Sequence, residues 1–196
     1  MTSRRLQWLI RCAPLALLIA GAAVAQTERA LTPAELMGAL KVGQWVKLEG
    51  AMANAPVVQC SQARVLTEDM PDGNSQITAN VRSVDLGKGT FVVYKTPCKV
   101  VQGCTFKSKT QPSFIGLAQV KPGMFLNVEG TFMGDGTLLA RRVTDKSDEV
   151  AQKPERKALV RLRGRVAQLN SGAKTMTVLG VTFQVGANTQ AKSVTP

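Results

Sequence analysis

Arg161, Arg163 and Arg165 stand at alternate positions among Val160, Leu162 and Val166. On an extended strand that spacing puts three guanidinium groups on one side and the apolar residues on the other. A guanidinium donates in a planar fork that fits phosphate or carboxylate, so the strip is a candidate anion site. Arg141, Arg142, Arg156 and Lys157 are candidates to extend it. The competing reading is an ordinary solvated strand face.

The other chemistry-bearing residues are sparse. The sequence has no histidine, which removes the commonest general base and the commonest metal ligand together. Asp69, Asp72 and Asn74 lack the spacing and closing glutamate of an EF-hand loop, and turn formation accounts for them. Glu49 and Glu129 each sit before a glycine in a repeated segment and do not make a carboxylate pair. No nucleophile with a base, phosphate loop or dinucleotide fingerprint is present. No metal or cofactor is expected.

An N-terminal segment accounts for one cysteine and three arginines. Arg4, Arg5 and Arg11 flank an uncharged apolar run at residues 13–23, and Ala23-Val24-Ala25 is a cleavage signature. Residues 1–25 therefore read as an export signal, with no later transmembrane segment and a periplasmic or secreted destination. Removing 25 of the 196 residues leaves 171, and removing the leader's three arginines from the +12 total leaves +9. A basic surface of that size favours anionic partners. Cys60, Cys98 and Cys104 remain. In an oxidising compartment Cys98 and Cys104 are the expected disulfide, bracing a protruding loop, and Cys60 is left as a buried thiol or a redox group.

The elements that must position these residues come from an internal repeat. Residues 120–143 alternate as a β-hairpin with a turn at Gly134-Asp135-Gly136. Residues 40–65 repeat the pattern 80 positions earlier, with Trp45 on Phe125, Glu49 on Glu129 and Gly50 on Gly130. A second hairpin, residues 77–94, recurs 85 positions later, with Ile77 on Leu162 and Val93 on Val178. Matching Thr182-Phe183 to Thr105-Phe106 implies an eight-residue insertion at residues 97–104.

Residues 26–30 read as a flexible leader. Thr32-Pro33-Ala34-Glu35 opens a short helix with a capping box, placed to close a barrel end. The charged segment 146–157 reads as a linker. The fold class is all-β: two small barrels with short capping helices. One is central, residues 77–145. The other is assembled from an N-terminal half (31–66) and a C-terminal half (158–196). Exchange of those halves between chains, giving a swapped dimer, is the rival arrangement.

Two stretches carry a family resemblance: LAQVKPGMFLNVEGTFMGDGTLLARRV (residues 117–143) and VRLRGRVAQLNSGAKTMTVLGVTFQV (residues 160–185). Together they resemble an uncharacterised bacterial envelope domain family with an OB-like barrel, here in tandem copies. The resemblance implies no catalytic residues. Trp45, Phe125 and most other aromatics fall on core positions rather than among the basic residues, which disfavours nucleic acid. The expected function is therefore an exported, non-catalytic binding or assembly module. Its ligand would be an anionic envelope component held by Arg161, Arg163, Arg165, Arg141 and Arg142, or an envelope protein held by the disulfide loop. The alternatives are a periplasmic thiol-dependent or hydrolytic enzyme and a purely structural envelope protein.

Overall fold

Strand formation follows the apolar alternation closely. The computed structural model describes residues 27–52 and 57–195. The expected export signal, residues 1–25, lies outside the described residues, as do residues 53–56. In chain order the elements are β1 (Thr27–Leu31), α1 (Pro33–Ala39), β2 (Trp45–Met52), β3 (Val58–Leu66), β4 (Ser75–Asp85), β5 (Thr90–Val93), β6 (Thr96–Lys107), β7 (Phe125–Phe132), β8 (Leu138–Asp145), α2 (Ser147–Gln152), β9 (Leu159–Asn170), β10 (Thr175–Val178) and β11 (Val181–Thr195). Short 3-10 turns lie at Asp72–Asn74, Leu117–Gln119 and Pro154–Ala158. Among the described residues no helix is long and apolar enough to cross a membrane.

The strands close into two five-stranded barrels. In the central one β4 pairs with β5, β5 with β6, β6 with β8 in parallel, β8 with β7, and β7 returns to β4. The terminal barrel runs through β9, β10, β11, β3 and β2 and back to β9, again with one parallel pair, β11 with β3. The second barrel is thus built from the two ends of a single chain. Without β2 and β3, β9 and β11 would each leave an open edge.

Both sequence offsets persist at atomic detail. Gly43 N–H donates to the Val166 carbonyl at 2.8 Å, and 80 and 85 positions away Gly123 N–H donates to the Val81 carbonyl at 2.9 Å. Gly43 and Gly123 hold φ of 88° and 87°, a left-handed turn that favours glycine. The barrels meet edge to edge where β4 pairs antiparallel with β9, and Ile77 lies opposite its own repeat equivalent, Leu162. A local two-fold axis therefore passes through that pair. One continuous outer surface crosses both barrels, while Leu48, Val160 and Phe183 fill one interior and Phe91, Leu138 and Val143 the other. The predicted capping box forms: the Thr32 side chain accepts from Glu35 N–H, and Leu36 and Met37 of α1 are buried.

Four sequence expectations are corrected. Of the expected flexible leader, residues 27–30 do not simply trail: β1 pairs with the end of β11, Leu31 opposite Ala191. The expected linker, 146–157, carries α2 and most of a 3-10 turn, and Ser147 Oγ accepts from Phe125 N–H at 3.2 Å.

The eight-residue insertion is not there. Cys98 opposes Phe91 and Leu138 as Phe183 opposes Met176 and Val58, so the 85-residue offset runs unbroken through β6 and β11. What looked like an insertion is a bulge that both copies share. Between Val100 and Thr105, β6 advances five residues against two on β8, and between Val185 and Gln190, β11 does the same against β3. The Thr-Phe match was accidental.

The disulfide falls with it. Cys98 is buried in the barrel interior and Cys104 sits in the bulge, and both are free thiols on one strand. From Cys98 to Thr105, β6 covers roughly 13 Å, about twice the Cα separation a disulfide spans. There is no protruding hairpin for a bridge to brace.

Candidate functional site

The outer surface that crosses the junction holds the site. Alternation on β9 is as expected: Val160, Leu162 and Val166 are buried, and Arg161, Arg163 and Arg165 lie on the other side. Their contacts then diverge. Arg165 turns away to a local clamp, with its guanidinium 2.8 Å from Asp69, 3.3 Å from Asp72 and 3.0 Å from the Gly43 carbonyl. It also lies 5.2 Å from the centroid of the Trp45 ring. By alternation Trp45 shares the side of β2 that carries Lys47 and Glu49, and it is buried although it lies outside the main apolar cluster. Arg141 holds the Gly73 carbonyl, and Arg142 pairs with Glu129 at 3.2 Å. Those three arginines therefore brace structure, and the Asp69–Asn74 turn is an arginine-held latch.

Arg161 and Arg163 face a groove of about 450 Å³ that spans β3, β2, β9, β4 and β7. Two cross-strand rows run along it, two residues apart along each strand and hence about 7 Å apart, and the second continues past the groove lining to Lys192. In the first, Gln62, Glu49, Arg161 and Thr78 are successive register partners. Arg161 Nε donates to Glu49 at 2.6 Å, so this row is close to neutral. The groove wall adds Lys146 and Glu149, which pair at 2.8 Å, and Arg156 reaches Glu149 at 3.1 Å. The hydrogen bond from Lys146 holds the Glu149 carboxyl below the usual carboxylate range despite some burial, and the charges of Lys146, Arg156 and Arg161 add to the effect.

The second row is a ladder of cations. Lys192 on β11, Arg64 on β3, Lys47 on β2 and Arg163 on β9 are register partners in turn. At one strand spacing each, the ladder is about 14 Å long. Glu28 bridges Arg64 at 3.1 Å and Lys192 at 2.9 Å, and those cations hold its carboxyl below the usual range, the Lys192 hydrogen bond first. Arg163 Nε donates only to a neutral acceptor, the Asn74 carbonyl, at 2.8 Å. Among the described residues Lys47 has no carboxylate in ion-pair range. Like charges directly opposite each other destabilise a sheet. The equivalent row in the central barrel, Lys107, Thr144, Asn127 and Thr78, carries one cation where the terminal barrel carries four.

The sequence strip thus contributes two of its five arginines to the groove. Lys47, Arg64 and Lys192 were missed because each is a single cation on its own strand. Only the closure of β2 and β3 onto β9 and β11 aligns them.

The family profile described as Domain of unknown function (DUF5666) matches residues 77–144 and 163–196, just over half of the chain. The chain belongs to the DUF5666 family. No curated protein and no solved structure matches it. The first DUF5666 segment covers the central barrel from β4 to β8. The second runs from Arg163 within β9 through β11, and the strands that complete that unit, β2 and β3, lie upstream of the first. Within DUF5666 terms, the cation ladder belongs to the divided unit.

The thiols are shielded. Burial pushes Cys60 and Cys98 up to about 12 and raises Cys104 by a smaller margin. A buried protonated thiol is a poor nucleophile, which weakens the thiol-enzyme alternative. In the folded protein at pH 8, Cys60 and Cys98 are expected to resist a chromogenic disulfide reagent, and all three thiols to react in denaturant. A fast stoichiometric reaction at Cys60 would contradict this. The same burial leaves folding insensitive to these groups below the ordinary thiol value of 9.0. Stability falls as pH rises from there toward 12, because the unfolded chain ionises first.

Proposed function

We propose that this protein is an exported, non-catalytic binding module for an anionic envelope ligand, with the Lys192–Arg64–Lys47–Arg163 ladder as its site. The observation that carries the reading is the ladder's imbalance. Four cations share one row with a single bridging carboxylate, at positions where the sister barrel has one. Such a row costs stability in the free protein, and an anionic ligand offsets that cost. The barrels support the reading by analogy. Their closed order, with a parallel pair between third and fifth strands, is OB-like, and OB-type barrels bind oligonucleotides and oligosaccharides. The export-type leader of the sequence supports an envelope ligand.

The test is retention on a heparin matrix across a salt gradient. Retention should fall steeply with ionic strength, because exposed charges are screened beyond about 8 Å at physiological salt. Lys47→Gln should elute at distinctly lower salt than the unaltered protein, whereas Lys121→Gln, which removes the same charge elsewhere, should move elution far less. Equal shifts for the two variants would reduce the ladder to general surface charge and end this reading.

A further inference from the structure

Resting on the anion-binding reading of the ladder, we infer that the ligand is an acidic oligosaccharide, lying along the ladder with its carboxylates on that row and its hydroxyls on the neighbouring one. The ladder's length comes first. Four cations over about 14 Å exceed what one phosphate or one carboxylate can engage, so the ligand carries several anions in line.

The neighbouring row then limits what lies between those anions. Gln62 and Thr78 each both donate and accept, and Glu49, which already accepts from Arg161 at 2.6 Å, keeps a second oxygen as an acceptor. On the wall Glu149 is already held by Lys146 and Arg156, so this side of the groove is close to charge balance. A chain anionic on both edges, such as polyphosphate, gains little from that balanced side. One that turns hydroxyls toward that row bonds Gln62, Thr78 and the open Glu49 oxygen instead. Nucleic acid fits poorly for a separate reason. Among the described residues the groove lining contains no aromatic side chain, so bases have no ring to stack on. A linear acidic sugar meets each condition, with charge on one edge, hydroxyls on the other and no need of a stacking platform.

The experiment compares three probes by titration calorimetry at about 0.15 M salt: a linear galacturonic acid tetramer, a linear polyphosphate of equal charge and a thymidine oligonucleotide. The tetramer is expected to bind at least about tenfold more tightly than either competitor. Replacing Gln62→Ala and Thr78→Val together should weaken the tetramer about tenfold, the worth of one or two hydrogen bonds, and leave its salt dependence unchanged. Polyphosphate and the oligonucleotide should be indifferent to that pair of changes.

Polyphosphate or oligonucleotide binding as tightly as the tetramer, or a tetramer indifferent to the Gln62 and Thr78 changes, would overturn the glycan assignment while the ladder stood. Binding of any probe that ignores replacement of Lys47 and Arg64 would overturn the ladder itself, as would failure of all three to bind. Unfolding curves of each variant separate lost contacts from lost structure.

Discussion

Replacing Gly130 with alanine is expected to remove about 3 kcal/mol of folding stability, a large share of what a domain of this size has. Gly130 lies on β7 where the β7–β8 register shifts, opposite Ala140. A Cβ there would overlap the Leu139 carbonyl oxygen and sit 2.8 Å from its carbon and 3.2 Å from Ala140 Cα. All of these are backbone atoms of the partner strand, so no side chain can rotate away. Relief requires moving β8, and β8 also carries the parallel pairing with β6 that closes the barrel. Gly50, 80 positions earlier, occupies the same place on β2, where a Cβ would overlap the Gln59 carbonyl oxygen and lie 2.7 Å from Val58 Cγ1. Gly50→Ala should therefore be comparably destabilising. Gly134 is the control: nothing lies within 4 Å of a Cβ there, and Gly134→Ala should stay within about 0.5 kcal/mol of the unaltered protein. Urea unfolding of the three variants measures all of this. A mild effect at Gly130 alongside a neutral Gly134 would mean that β8 is not held as tightly as the closed barrel requires.

Those glycines also explain why the architecture was readable. Gly50 and Gly130 share an offset because the same close approach of strands recurs in each barrel, and the apolar positions around them recur for the same reason. Two half-units at opposite ends of the chain, each with an uncovered edge, left their mutual pairing as the simplest closure. What could not be read was irregularity. A bulge adds residues without a sequence signature, and a chance Thr-Phe match made it look like an insertion. Two cysteines near that supposed loop then suggested a bridge, whereas both are free thiols on one strand. The site failed for a related reason. Arg161, Arg163 and Arg165 are visible because they are neighbours in sequence, yet Arg165 is diverted by Asp69 and Asp72, whose approach depends on where the connection into β4 falls. Lys47, Arg64 and Lys192 carry no local pattern at all. Their alignment exists only in the register of three non-local pairings.

That register leads to an expectation of opposite signs for one substitution. Lys47→Gln should stabilise the free protein at low salt, by up to about 1 kcal/mol, because it removes like-charge contacts with Arg64 on one side and Arg163 on the other and breaks no ion pair. The same change should weaken binding to an acidic probe, and the combined Lys47, Arg64 and Arg163 replacement with glutamine should weaken it by about 100-fold, or nearly 3 kcal/mol. A residue kept only for solubility would not separate the two signs, since removing one exposed charge elsewhere, as in Lys121→Gln, should leave stability and affinity almost unchanged. The ligand must then reverse the ranking. Binding stabilises the folded state by an amount that grows with ligand concentration over the dissociation constant. The unaltered protein, less stable alone, should overtake Lys47→Gln once the probe exceeds its dissociation constant several-fold. Thermal melts with and without ligand, at low and high salt, make the comparison directly. A Lys47→Gln variant that is destabilised in the absence of ligand would show that the lysine serves the fold rather than a ligand.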